Sequence, residues 1–252
     1  MRVAVLNSGS NGNATLVIDG DRALLVDCGL SARRCLQRAG DVAGEFSLEA
    51  ILVTHEHTDH VSGVGPLARR LGVAVHATST TRRAAGRRLE GIRFLPVEPM
   101  SPFRIGPFEV TPLPLLHDAA DPVGFHIRSG GTGITLATDL GIVTDDLMAY
   151  LERSDAVVLE ANHDVEMLMA GHYPRPLKAR IMGPLGHLSN DDSAATIARC
   201  APRIAFLAHL SRDNNTSDLA LGTVRREAEE RGIDVEIIVT SRERATPLVD
   251  VH

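Results

Sequence analysis

Four potential metal ligands fall within six consecutive residues, His55-Glu56-His57-Thr58-Asp59-His60, directly after an apolar run at 50–54 that reads as a buried strand. Imidazole and carboxylate donors suit zinc and similar divalent ions, and the two-residue step from His55 to His57 lets both reach one ion. Asp59 and His60 then turn toward a second. A polar turn tied by its own hydrogen bonds is a poor account of such a cluster in a chain with 11 histidines. Two ions need more ligands than one loop supplies, so the fold has to bring other strand ends to the same edge.

The rest of the chain meets that demand. Short strands are expected at 2–6, 14–18 and 22–26, the last two joined by the hairpin signal Asp19-Gly20-Asp21. A helix starts with Ser31 as N-cap and is expected to stop at Gly40. Residues 63–71 read as a helix ended by Gly72, 73–77 as a strand, and 80–89 as a helix with Arg83 and Arg87 four apart on one side. Six prolines between 96 and 114 keep that stretch extended. Within it, 108–116 reads as a strand leading to His117, and 125–128 with 133–138 as a hairpin leading to Asp139. From there helix and strand alternate: helices at 144–152, 191–200 and 219–231, strands at 156–161, 203–208 and 234–240. His209 follows the second of these strands. His117, Asp139 and His209 thus each stand at the C-terminal end of a strand.

A length of 252 residues suits one large α/β domain, 1–252, in which two similar βα halves are visible and no linker is. Three cysteines without CxxC spacing fit a reducing compartment. The N-terminus enters a strand pattern directly, and no apolar stretch reaches the 18 or so residues that a span needs. A cytoplasmic protein without a membrane partner is expected. The net charge of −6 argues against a general nucleic-acid coat. Charge is uneven, however: Arg69, Arg70, Arg82, Arg83, Arg87 and Arg88 fall in a stretch, 61–89, with no acidic residue. That basic face suits a phosphate-handling enzyme, and a solvated helix face accounts for it equally well.

The order H-x-H-x-D-H, strand-end His, strand-end Asp, late strand-end His resembles the metallo-β-lactamase superfamily over essentially the whole chain. The resemblance implies a four-layer αββα sandwich, an α/β (α+β) fold. It implies one ion on His55, His57 and His117, another on Asp59, His60 and His209, and Asp139 bridging them. The absence of a large insertion after Asp139, and of a long Gly/Pro-rich arm, sets the chain apart from β-CASP nucleases and transfer-RNA 3′ processing enzymes. Further stretches are similar to the WalJ/YycJ type: 7–13 (NSGSNGN), 117–124 (HDAADPVG), 160–164 (EANHD), 186–190 (GHLSN) and 208–215 (AHLSRDNN). By that resemblance, a metal-dependent exonuclease acting 5′→3′ on duplex DNA is implied.

A pair of ions lowers the pKa of a shared water and clamps a phosphoryl oxygen, chemistry that serves phosphodiesters, lactones and thioesters alike. Nitrogen-rich ligation favours Zn²⁺ and leaves Mn²⁺ or Fe²⁺ open. Asp59 and His187 are assigned to catalysis, His187 as proton donor to the leaving alkoxide, because its ordinary pKa lies near working pH. A turn histidine at the helix start is the bland alternative for His187. Asn7, Ser8 and Asn13 sit in a glycine-rich loop suited to an anion, and a plain tight turn is nearly as good a reading. Asn162, His163, Arg82, Arg83 and Arg87 complete the expected substrate contacts. Asp27, after the strand 22–26, is expected to orient a ligating histidine from behind. The function expected is a binuclear phosphodiesterase, a 5′→3′ DNA exonuclease. A small-molecule hydrolase for thioesters, lactones or cyclic phosphodiesters, and an idle metal-binding scaffold, are the competitors. Nothing in the sequence sets the oligomeric state.

Overall fold

The apolar runs of the first third pair side by side in a computed structural model, which describes residues 1–252. The strands make two sheets of seven, and the chain divides into two compact units. The first holds Met1–Pro114, Ala119–Thr132 and Ser241–His252; the second holds Leu115–Asp118 and Gly133–Thr240.

In the first unit, β1 (Arg2–Asn7), β2 (Ala14–Asp19) and β3 (Arg22–Val26) form an antiparallel meander. Asp19 pairs with Arg22 across Gly20-Asp21, and Gly20 takes φ +61°, a conformation that glycine adopts without steric cost. After α1 (Ala32–Ala43) comes β4 (Ser47–Leu52). The short α2 (Thr58–Val61) and α3 (Val64–Leu71) lead to β5 (Ala74–Ala77). Next are α4 (Ser79–Ala85) and β6 (Phe94–Pro96). β3 to β6 run parallel, and a closing strand, Val249–Asp250, pairs antiparallel with β1. A second antiparallel meander follows: β7 (Phe103–Ile105), β8 (Phe108–Pro114) and β9 (Val123–Ser129).

Leu16, Ile18, Ile51, Val61, Val64, Leu67, Val75 and Leu89 pack into one core with Cys28 and Cys35. Fully burying one such aliphatic side chain stabilises by about 1.5–3 kcal/mol. Val53 and Val61, on either side of the 55–60 loop, belong to that core, so the ligand-bearing turn is anchored at both ends by packed side chains.

The second unit is a parallel sheet of β10 (Thr132–Ala137), β11 (Ala156–Glu160), β12 (Ile204–Ala208) and β13 (Glu236–Val239). The central strands AVVLE and IAFLA are buried throughout, as expected of parallel strands covered on both faces. Helices intervene: α5 (Asp145–Leu151), α6 (Val165–Ala170), α7 (Arg175–Ile181), α8 (Asn190–Cys200) and α9 (Ser217–Glu230). Thr144 caps α5, and Ser189 caps α8 through a reciprocal box with Asp192.

Three expectations are corrected. α1 does not stop at Gly40 but runs on to Ala43, where Gly44, at φ +67°, gives its N–H to Gly40 O. A Cβ at Gly40 would meet nothing, so its glycine marks no turn. The helix expected over 80–89 breaks at Gly86, whose φ of +54° cannot continue a right-handed helix. Residues Gly86–Leu89 form a separate 3-10 turn, so Arg83 and Arg87 do not share one helix. The strand expected over 50–54 ends at Leu52, and Val53 and Thr54 form the approach to His55. Helices α6 and α7 lie where no element was expected.

Candidate metal centre

Each unit assembles its own set of donors. In the first, Thr54 and Asp27 grip the imidazoles from behind. The Asp27 carboxylate accepts from the Thr54 N–H (2.9 Å) and hydroxyl (2.8 Å), and from His60 Nδ1 at 2.8 Å. His55 Nδ1 lies 3.0 Å from the Thr54 hydroxyl. Since a carboxylate only accepts, His60 carries a proton on Nδ1, which leaves Nε2 as the ring atom able to offer a lone pair. The His55 ring stands 4.6 Å from that of His57 and 4.0 Å from that of His60. Asp59 Oδ2 is 3.8 Å from His60 Nε2. Rings held by their Nδ1 side, with Nε2 as the lone-pair donor and a carboxylate beside it, are what a divalent cation requires.

The 8–13 loop supports this turn more than it opens toward an anion. Asn13 takes the Asp59 carbonyl on its backbone N–H (2.7 Å), accepts from Gly9 N–H (2.8 Å), and brings Nδ2 within 2.9 Å of His60 Nε2. Asn7 is engaged by Gly12 O and Arg38. Ser8, Asn7 and Asn13 are all buried. Gly29 makes the close approach possible: a Cβ there would stand 1.6 Å from Asp59 O.

The arginines are separated by use. Arg82 lies over the Phe94 ring at 6.0 Å, Arg83 bonds Thr80 (3.1 Å), and Arg87 is exposed. Arg88, not among the expected contacts, donates to Thr58 Oγ1 (3.1 Å) inside the histidine loop.

In the second unit the Asp139 carboxylate faces three imidazoles. Its Oδ1 is 3.5 Å from His209 Nε2, 3.9 Å from His117 Nε2 and 3.8 Å from His187 Nδ1. Donors on one cation with bonds near 2.0–2.1 Å stand about 3.3 Å apart in a tetrahedral set, so Asp139 and His209 are near ligand spacing. Asp139 and His209, like Asp27, hold left-handed backbone: φ +61°, +54° and +59°. Such strain in a non-glycine residue costs on the order of 1 kcal/mol and persists where surroundings impose it. At His209 the Asn162 amide donates to the backbone carbonyl (2.9 Å). His163 is almost wholly buried and its Nδ1 meets no partner; burial holds it below the ordinary histidine pKa.

Glu160, noted in the sequence only as the first residue of the 160–164 stretch and given no role there, lies at the middle of this cluster. Its Oε1 lies 2.8 Å from His187 Nδ1 and 2.8 Å from His209 Nδ1, while Oε2 accepts from Leu140 N–H (3.0 Å). Burial pushes its carboxyl pKa up, but the charge and hydrogen bond of His187, joined by those of His209, prevail and hold it at about 2. Burial likewise works against a charged His187, and Glu160 and Asp139 override it, raising its pKa. At His117 burial wins, and the pKa falls. Asp139, Glu160, His187 and His209 offer donor atoms within 4.8 Å of one another. Both Glu160 oxygens are spent on N–H groups of His187, His209, Leu140 and Leu188, so it orients the candidate donors instead of joining them. His187 is the most open of the four, with its side chain 22% exposed and its Nδ1 side turned to Glu160. One signal in the sequence pointed to Glu160: a lone carboxylate closing a wholly apolar buried strand.

These donor sets imply divalent metal ions, and residues 22–210 match the beta-lactamase superfamily domain. The chain is a metal-dependent hydrolase of that superfamily. Within it the chain belongs to the WalJ/YycJ family. It is 34% identical to exodeoxyribonuclease WalJ of Streptococcus pneumoniae, over 99% of this chain and 98% of the relative. It is 36% identical to exodeoxyribonuclease YycJ of Bacillus anthracis, over 93% and 92%. Among solved structures, the metallo-beta-lactamase fold protein YhfI from Bacillus subtilis aligns with a TM-score of 0.73 at 18% identity, covering 97% of this chain and 98% of that one. The mixed α/β fold with two seven-stranded sheets agrees with that likeness. No helix is long and apolar enough to cross a membrane.

Proposed function

We propose that the chain is a cytoplasmic, binuclear metal-dependent phosphodiesterase that degrades DNA from the 5′ end, with residues 1–252 working as one metallo-β-lactamase-fold domain. The observation that carries this reading is the likeness, over almost the whole length, to two proteins named exodeoxyribonucleases. The ligand sets proposed are His55, His57 and His117 for one ion and Asp59, His60 and His209 for the other, with Asp139 between them. Imidazole-rich ligation favours zinc, and manganese or iron suit the same donors. Bound ions supply Lewis acidity toward a phosphoryl oxygen and a more acidic water.

The chain's own groups do the rest. Asp27 and Thr54 keep His60 and His55 in the tautomer that offers Nε2 as a donor. Glu160 holds His187 by Nδ1, so that its Nε2–H can pass a proton to the departing 3′-oxygen. Asp59 serves both as ligand and as a carboxylate beside the reacting phosphate. Arg83 and Arg87, with Arg82 behind them, face the backbone of the DNA, and Arg88 ties that face to the metal loop. Ser8, Asn7, Asn13, Asn162 and His163 act on the substrate through the ligand-bearing turns that they hold in place.

The test is digestion of duplex labelled at either 5′ or 3′ end, with single-stranded DNA and RNA alongside, in Zn²⁺ or Mn²⁺. Progressive loss from the 5′ end, absent in His57→Ala and Asp139→Ala, supports the reading. Equal degradation in those variants exposes a contaminant, and turnover of thioesters with indifference to DNA replaces the reading with a small-molecule hydrolase.

A further inference from the structure

The second unit carries an apolar rim whose residues sit beside the site residues. Leu116 precedes His117, Ile142 follows Asp139 by three, and Leu185 precedes His187 by two; they are 40%, 45% and 51% exposed. Met182, 43% exposed, completes the group. Backbone contacts interlock the three segments. Gly141 N–H donates to Leu116 O (3.1 Å) and Asp118 N–H to Leu185 O (3.2 Å). Gly141 packs so closely that a Cβ would stand 2.4 Å from Gly183 O. The turn that bears Met182 and Leu185 is closed by His187 N–H to Ile181 O and Gly186 N–H to Gly183 O, each 2.9 Å. Large exposed aliphatics gathered on a rigid turn are uncommon away from a binding surface.

Charge identifies the occupant. The adjoining α7 (RPLKARI) has Arg175, Lys178 and Arg180, no acidic residue and no fully buried side chain; Lys178 donates to Met169 O and Gly171 O, both at 2.7 Å, and keeps its positive charge at that face. Arg180 is also paired with Asp118 at 2.6 Å, both well exposed. An apolar edge flanked by a basic helix fits a polyanion with apolar faces, that is, stacked nucleobases on a phosphate backbone. The chain has no Trp and two Tyr, and none of the rim residues is aromatic; Leu, Ile and Met are side chains that wedge against base steps.

We propose that Leu116, Ile142, Met182 and Leu185 form a wedge that packs against the terminal base pair of a DNA duplex, with α7 toward its phosphates. This rests on the exonuclease reading above. A phosphodiester placed at Asp139 and His187 puts its neighbouring base beside that rim, where the wedge separates the end of the duplex and frees one strand for cleavage.

The test compares wild type with Ile142→Ser/Leu185→Ser on blunt duplexes, on duplexes with three mismatched terminal pairs, and on bis(p-nitrophenyl) phosphate. Binding is read from 2-aminopurine in the terminal pair of a phosphorothioate-protected duplex. The variant is expected to lose roughly tenfold on blunt ends, within the cost of unstacking one base step. It should keep its rate on frayed ends and on the small diester, and lose the fluorescence rise that marks unstacking. Equal loss on blunt and frayed ends, no loss on either, or a change of oligomeric state explaining the loss overturns the wedge. Turnover of the small diester by wild type without cleavage of any DNA defeats the exonuclease reading itself, and the wedge with it.

Discussion

Asp27 Oδ2 stands 2.8 Å from His60 Nδ1, and both residues are buried. The bond orients the imidazole of a proposed ligand that lies 33 residues further along the chain. A carboxylate so placed also makes the imidazole a better donor.

Replacing that carboxylate by an amide isolates its contribution. Asn tolerates left-handed backbone, so Asp27→Asn keeps the turn at φ +59°. Metal affinity should fall about 10- to 100-fold, measured by competition with a chromogenic chelator, while the far-ultraviolet circular dichroism stays unchanged. Unaltered affinity would remove Asp27 from the centre.

Glu160→Gln retains shape and loses charge. On DNA kcat should fall by about 10²–10⁴, the usual worth of a positioned acid, with KM little changed. At saturating metal, which offsets the weaker hold on His209, the loss on p-nitrophenyl esters, whose leaving group needs no proton, should be small. Glu160→Gln/His187→Ala should be no worse than His187→Ala alone, because the two act as a unit. Additive losses, or equal losses on both substrates, would break the link between them.

Charge removal at Arg83 and Arg87 has its own signature. Each DNA phosphate that an arginine no longer neutralises flattens the slope of log K against log salt by about 0.9. Arg83→Gln/Arg87→Gln should therefore flatten it by nearly two and leave turnover of a small diester untouched. An unchanged slope would mean that these arginines are only solvated.

His76 lies outside the centre, stacked on Phe103 at 5.1 Å. Burial, aided by Arg93, draws its pKa down to about 4. Between pH 4 and the ordinary value near 6.5 the unfolded chain binds a proton that the folded chain refuses. Stability therefore rises with pH through that window and is lost as pH falls through it. Urea titrations at pH 7 and pH 4.5 should show wild type losing up to about 3 kcal/mol more than His76→Phe. Parallel losses would contradict the assignment.

The donor cluster of the histidine loop was legible because four candidate donors fall within six residues, and the positions of His117, Asp139 and His209 after strands because apolar runs precede them. Ser31, Thr144 and Gly72 also read correctly, since caps and left-handed stops are chosen locally. Gly40 misled because a glycine in an exposed helix position resembles one that ends a helix. Gly86 misled in the opposite way: its left-handed φ depends on the turn at Gly86–Leu89, which an arginine-rich helical pattern hides. Glu160 escaped notice because its partners, His187 and His209, lie 27 and 49 residues further along. The left-handed backbone of Asp27, Asp139 and His209 falls on residue types that tolerate it, and nothing in the local pattern marks these three among the other Asp and His residues.

His55, His57, Asp59, His60, His117, Asp139 and His209 are proposed to hold a pair of cations. Crystals of the Mn²⁺-loaded protein, with anomalous difference maps at the manganese edge, test it most directly. The account expects two peaks about 3.5–4 Å apart, one against His55, His57 and His117, the other against Asp59, His60 and His209, with Asp139 touching both. A single peak, or two that lie apart with Asp139 on neither, would contradict it.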